Sequence, residues 1–249
     1  MPRFDDEDMQ SQKIGGSGYG FSGKRLDALD ATSEWTICDF EFDMSGSVDC
    51  FAAEIERCAI EAIRSCKHSP RADNLMLRTQ TFNHALHEVH GFRPLGECDE
   101  AKYVGIIQPG GGTALFDAIH NGASALNKYG ADLVAAKYTA NGILIVVTDG
   151  CENGNSSATA LMCKKAIEGA RAGEKLESLI TILVGINVTD PFVADALKKL
   201  AADVGFTQYI EAKDASAKTL ARLAAFISKS VSSQSQSLGS GGPSQAQNF

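Results

Sequence analysis

The chain has 249 residues, 44% of them hydrophobic and 22% charged, a globular composition that excludes a collagen, a fibrous coil and wholesale disorder. Its 31 acidic and 23 basic residues give a net charge of −8, which repels phosphate backbones and argues against a nucleic-acid partner. No stretch approaches the roughly 20 consecutive apolar residues of a membrane-spanning helix. The start, MPRFDDEDMQ, lacks the basic region and apolar stretch of a secretory signal. We therefore expect a cytoplasmic protein that binds no membrane.

Seven cysteines, an odd number without a CxxC pair, are typical of reduced thiols. We interpret each of them as a small buried hydrophobe.

Three segments divide the chain by composition. Residues 1–33 are glycine-rich and polar, and residues 232–249 are rich in Ser, Gln and Gly. The sequence predicts a flexible N-terminal arm and a disordered C-terminal tail there. A single domain is expected over residues 34–231.

Within this domain, strand patterns and helix patterns alternate. Strands are predicted over 35–42, 75–82, 86–92, 142–148, 179–185 and 208–211. Helices are predicted over 48–66, 114–129 with a shorter continuation over 131–138, 158–172, 192–204 and 215–231. The unbroken apolar run GILIVVT at 142–148 is typical of a strand buried on both faces of a parallel sheet. The alternation predicts right-handed crossovers, and so an open, doubly wound, mostly parallel α/β sheet with helices on both faces.

Ligand sites of such sheets form at the carboxyl ends of the strands, and three polar segments fall there. Residues 43–47 (DMSGS) follow the first predicted strand, residues 110–115 (GGGTAL) lead into a helix, and residues 148–150 (TDG) follow the buried strand. Together they offer carboxylates and hydroxyls, and such oxygen-only sets suit hard divalent cations.

These segments resemble the von Willebrand factor A domain with its metal-ion-dependent adhesion site, in a stand-alone prokaryotic or phage form. Asp43, Ser45 and Ser47 match the family's DxSxS motif, Thr113 in GGTALFDA matches its distant threonine, and Asp149 in VVTDG matches its later aspartate. The resemblance covers roughly residues 34–231. It implies a Rossmann-like domain in which these five side chains bind Mg²⁺ or Mn²⁺, and in which an acidic side chain of a partner protein completes the coordination.

The first strand departs from the family pattern, because it carries Asp39 and Glu41 on the side of the pleat that Asp43 occupies. Two buried carboxylates are costly unless they are paired. Arg78 on the following strand is the candidate partner, and we favour a structural ion pair over a second ligand set.

Other chemistries fit less well. Residues 18–25 spell GxxxxGK but end in Arg where Ser or Thr should bind Mg²⁺, and no strand is predicted before them. His84, His87 and His90 lie across a strand, a turn and a strand, where their spacing does not converge on zinc. A phosphatase-type reading of Asp43 lacks the second aspartate, since Ser45 occupies that place.

The sequence therefore predicts a metal-dependent protein-interaction module, an adaptor or scaffold and not an enzyme. The alternatives are a Mg²⁺-dependent phosphohydrolase and an assembly protein whose metal is incidental. The partner, the oligomeric state and the roles of the two terminal segments stay open.

Overall fold

The apolar strands form the middle of one eight-stranded sheet in the computed structural model, which describes residues 4, 7–29, 33–153, 156–173, 175–240 and 247–249. The strands are β1 Met9–Lys13, β2 Gly20–Lys24, β3 Glu34–Asp43, β4 Leu75–Phe82, β5 Leu86–Pro94, β6 Thr139–Thr148, β7 Ser178–Ile186 and β8 Gln208–Ala212. The helices are α1 Ala52–Lys67, α2 Leu115–Ala135, α3 Ala160–Ala172, α4 Pro191–Val204 and α5 Ala217–Ser240.

The strand order is β1-β2-β5-β4-β3-β6-β7-β8. The five strands β4, β3, β6, β7 and β8 run parallel, while β5 lies antiparallel to β4 and β1 antiparallel to β2. After β3 the chain first builds one side of the sheet and then returns to place β6 on the other side. The order thus switches at β3 and β6, the place where doubly wound sheets form their sites.

Helices cover both faces, and each face has its own apolar core. One core joins the sheet to α1 and α5 through residues such as Ile55 and Leu223. The other joins it to α2, α3 and α4 through residues such as Leu126 and Ile167. The predicted doubly wound α/β fold class is confirmed. Within the described part of the chain, no helix combines the length and the apolarity needed to cross a membrane.

The structure differs from the predicted arm at the N-terminus. Residues 1–3, 5–6 and 30–32 lie outside the described residues, but part of the remainder forms β1 and β2. Phe21 is buried and packs edge-on against Phe92 of β5. Phe4 and Ile14 are buried as well, so a few apolar side chains anchor a segment whose mean composition is polar.

The structure also differs at the C-terminal end, where α5 continues to Ser240 and residues 241–246 lie outside the described part. Gln234 is fully buried, and its amide donates to the Ser178 hydroxyl at 2.7 Å. Arg71 donates to Ser235 at 3.1 Å. Polar contacts of this kind hold the Ser- and Gln-rich turns of the helix, and a composition argument does not register them.

Helix α2 and the cysteines test two further predictions. The helix predicted in two parts is one helix through Gly130, and the absence of a side chain at Gly130 leaves room for the Leu176 side chain. Five cysteines are buried as expected, whereas Cys50 is exposed and Cys151 is half-buried.

Candidate metal centre

Two neighbouring strands place the two candidate carboxylates. Asp43 is the last residue of β3, and Asp149 directly follows β6. The strands pair in parallel with Phe42 opposite Val147, so the two aspartates reach the same edge of the sheet. The switch in strand order lies between them.

The short loop after β3 then joins these carboxylates through hydroxyl groups. The Ser45 amide donates to Asp43 Oδ1 at 2.7 Å, and the hydroxyls of Ser45 and Ser47 lie 3.1 Å apart. The Ser47 hydroxyl donates to Asp149 Oδ1 at 2.8 Å. Hydrogen bonds thus link four of the five predicted ligands in one continuous chain.

Thr113 lies next to a loop that contacts this group through its backbone. The loop before it is pinned to the Ser45 loop, because the Gly110 amide donates to the Met44 carbonyl at 3.0 Å and the Gly46 amide to the Gly111 carbonyl at 3.1 Å. The Thr113 amide itself donates to Asn153 Oδ1 at 3.0 Å. Among the described residues, the Thr113 hydroxyl makes no hydrogen bond to the other four side chains. Its role as a ligand stays a prediction.

Gly111 makes the close approach of this loop possible. Its φ of +75° is a left-handed conformation that side chains disfavour. A Cβ there would also lie 2.2 Å from Nδ1 of His84. His84 therefore covers the glycine loop, while His90 is buried elsewhere with its Nδ1 2.8 Å from the Gly91 carbonyl.

Thr148 lies in the polar segment 148–150 but was not among the five predicted site residues. Its hydroxyl donates to Asp43 Oδ2 at 2.6 Å, and it accepts from the Gly150 amide at 3.2 Å. It therefore fixes the Asp43 carboxylate on the side opposite Ser45. Its place directly before Asp149 was the available signal.

The loop after Asp149 is tied to the start of α2. The Phe116 amide donates to a Glu152 carboxylate oxygen at 3.0 Å, and the amides of Ser157 and Ala158 donate to Asp117 at 3.1 and 2.8 Å. These contacts hold the Thr113 loop and the Asp149 loop together. No short sequence motif predicts them.

The site is buried on one side and open to solvent on the other. Asp43 and Ser45 are buried, Asp149 is half-buried and Ser47 is exposed. Burial raises the pKa of Asp43 to about 6, although hydrogen bonds from Thr148 and Ser45 oppose the shift. Burial also raises the pKa of Asp149, against the hydrogen bond from Ser47. A cation at this place would stabilise both ionised carboxylates.

The chemistry and spacing of the donors fit a hard divalent cation. Metal–oxygen distances of about 2.0–2.1 Å in an octahedron put neighbouring ligand atoms roughly 2.9 Å apart. The contacts between Ser45 and Ser47 and between Ser47 and Asp149 are 3.1 and 2.8 Å. Within the described residues no three His, Cys, Asp or Glu side chains group as a metal site, so any cation here depends on hydroxyl ligands.

The acidic pair below the site has the partner that the sequence predicted. Arg78 Nη1 lies 2.7 Å from Asp39 Oδ2 and 3.4 Å from Glu41 Oε1, with all three side chains fully buried. Arg78 Nε also contacts Glu88 at 2.7 Å. This ion-pair network gives both acidic residues of β3 a cationic partner, as the sequence predicted.

Sequence comparison finds no matching family model and no matching curated protein. Structure comparison does find relatives in fold. A D319A mutant of the PilB minor pilin from Streptococcus sanguinis matches with a TM-score of 0.61 at 12% identity over 88% of this chain. The SpaC pilus adhesin from Lactobacillus rhamnosus GG matches with a TM-score of 0.60 at 13% identity over 93% of this chain.

A third similar structure is the proximal thread matrix protein 1 of the mussel byssus, described with a zinc-occupied MIDAS motif. Its TM-score is 0.53 at 13% identity over 80% of this chain. The chain spans only 66% of the minor pilin, 36% of the adhesin and 46% of the matrix protein. These likenesses show that the chain has a von Willebrand factor A-like fold.

Proposed function

We propose that this chain is a protein-interaction module that captures an acidic side chain of a partner through a divalent cation. Asp43, Ser45, Ser47, Thr113 and Asp149 would hold the ion, which is Mg²⁺ or Mn²⁺ in this proposal. The observation that carries it is the continuous chain of hydrogen bonds from Asp43 through Ser45 and Ser47 to Asp149 at the switch point, buried at Asp43 and exposed at Ser47.

The electrostatics of the site support a carboxylate as the outer ligand. Both oxygens of Asp43 already accept hydrogen bonds, from the Ser45 amide and the Thr148 hydroxyl. Because these bonds share the negative charge of Asp43, the carboxylate would neutralise a bound cation less completely. The two serines add neutral ligands. When bound, the ion supplies a Lewis-acidic position that attracts a negatively charged oxygen.

The same ion would overcome the repulsion between an acidic partner and a chain with a net charge of −8. Pilus proteins and a byssal matrix protein share this fold at low identity, which is consistent with a binding role. We accordingly assign no catalytic residue. Turnover of p-nitrophenyl phosphate with Mg²⁺, abolished by Asp43→Asn, would favour a phosphohydrolase instead.

The proposal is tested by titrating Mg²⁺ and Mn²⁺ calorimetrically, with acetate present as a free carboxylate ligand. Asp43→Asn keeps the shape of the side chain but removes one of two charges, so metal affinity should fall by at least about 100-fold. The matched control is Asp49→Asn, an exposed residue two positions beyond Ser47, which should bind as the wild type does. Wild-type protein that binds neither metal at millimolar concentration would contradict the assignment.

A further inference from the structure

A second concavity, of about 320 Å³, lies between the β1–β2 turn, α2, α3 and the segment before β7. Lys128 marks its place on α2. This residue stands 13 positions beyond Leu115, the start of the helix next to the candidate metal centre, and therefore about 20 Å along the helix axis. The concavity is thus separate from the metal centre.

The charges that line this concavity are strongly unbalanced. Lys13, Lys128, Lys165 and Lys175 surround it, and Asp132 is the one carboxylate in its lining. These lysines come from β1, α2, α3 and the segment before β7, so no single basic run in the sequence reveals this lysine site. Another polar concavity, of about 300 Å³, has three basic and three acidic residues in its lining, so its charges balance whereas those of the lysine site do not.

The four ammonium groups are available to a ligand. None of them forms an ion pair with a carboxylate in the described part of the chain. The Asp132 carboxylate already accepts a hydrogen bond from the Gln12 amide at 2.6 Å. The Lys128 ammonium donates to the Lys13 carbonyl at 2.9 Å, which holds it beside the turn.

We propose that this lysine site binds a small organic phosphate that carries at least two phosphate groups. Four point charges around one concavity match a multiply charged anion, and lysine suits phosphate as a compact cation. A volume near 300 Å³ is at the lower end of small-molecule pockets. Ile14, Ala131 and Ala166 also line the site and provide apolar contacts for the organic part of the ligand.

The test is calorimetric titration of the full chain with tripolyphosphate and with fructose 1,6-bisphosphate, at low ionic strength and with EDTA. Both probes should bind, and Lys165→Gln combined with Lys175→Gln should weaken binding at least about tenfold. The charge-matched control combines Lys164→Gln and Lys199→Gln, exposed lysines of α3 and α4 outside the lining, and should bind like the wild type. Asp43→Asn should also bind like the wild type, so failure of the metal proposal does not decide this one.

Three results would overturn the proposal. One is that neither probe binds at millimolar concentration. Another is that the control pair weakens binding as much as the lysine-site pair, because binding would then reflect general charge. The third is that vesicles containing phosphatidylserine bind while both soluble probes do not, since the lysines would then serve a membrane surface.

Discussion

Arg78 is the residue on which the buried charges of the sheet depend. It contacts Asp39 at 2.7 Å and Glu41 at 3.4 Å, and its Nη2 donates to Asn121 Oδ1 at 2.8 Å. Burial raises the pKa of Asp39 to about 6, while the positive charge of Arg78 opposes that shift. A buried ion left without its partner costs far more free energy than the pair itself contributes.

Replacement of Arg78 by methionine, Arg78→Met, should therefore lower the free energy of unfolding by about 3–5 kcal/mol. Urea denaturation measures the loss. Arg64→Met is the matched control, since Arg64 is half exposed and pairs with Glu61 and Glu100 on the surface, where such pairs contribute about 1 kcal/mol or less. Equal losses of unfolding free energy in the two variants would show that the buried carboxylates do not depend on the charge of Arg78.

Residue chemistry could be predicted from the sequence where the partners are close in sequence or in strand register. The Asp39–Arg78 pair follows from two neighbouring parallel strands, and Ser45 and Ser47 follow Asp43 within one loop. Thr148 was noted in the polar segment 148–150 but not predicted as a site residue, because it is also the last residue of the strand pattern. Asn153 was missed because its contact with Thr113 spans 40 residues and depends on how two loops fold.

The β1–β2 hairpin is the element in which composition was most misleading. Gly23 lies against the ring of Tyr129, and an added Cβ would be 2.6 Å from the Tyr129 Cε2 atom. That ring cannot move easily, because it stacks on Phe92 with a centroid distance of 5.0 Å. Its hydroxyl also donates to the Lys24 carbonyl at 2.8 Å. The packing of the hairpin against Tyr129 thus depends on the absence of a side chain at Gly23.

Gly23→Ala should consequently destabilise the protein by about 1–3 kcal/mol through overpacking, and it should expose the hairpin to trypsin. The urea midpoint and the rate of cleavage at Lys13 and Lys24 are the two measurements. Gly18→Ala provides the control, since a Cβ at Gly18 would meet no atom within 4 Å. A variant at Gly23 as stable and as protease-resistant as the control would rule out this packing contact.

The other elements show what a sequence pattern can and cannot predict. The runs at 142–148 and 179–185 lie within β6 and β7 because strands buried on both faces leave an apolar signal. The final turns of α5 left no such signal, since Gln234 and Ser235 are buried through hydrogen bonds. The periodicity of apolar residues in the sequence predicts which apolar side chains are buried. Burial of polar side chains can be recognised only from the tertiary structure that supplies their hydrogen-bond partners.

At the scale of the whole molecule, buried titratable groups make opposite contributions to stability as the pH falls. The folded pKa of Asp39 and of Asp43 is raised to about 6, so the folded state takes up these protons before the unfolded state does. Each of these carboxyls therefore adds stability as the pH falls through 6. His90 acts in the other direction, because burial lowers its pKa to about 3.

Protonation of His90 in the unfolded chain should make the unfolding free energy of the wild type fall more steeply in acid than that of His90→Gln. The unfolded chain protonates this imidazole below its ordinary pKa of 6.5, whereas the folded state keeps it neutral down to about pH 3. Between pH 7 and pH 5, the wild type should lose about 2 kcal/mol more unfolding free energy than the variant. Urea titrations at pH 7, 6 and 5 measure the two slopes, with His68→Gln, at an exposed position, expected to follow the wild type. Parallel slopes for wild type and His90→Gln would mean that the folded state protonates His90 as readily as the unfolded chain does. The buried contact between His90 Nε2 and the Tyr103 hydroxyl would then open to water before the sheet unfolds.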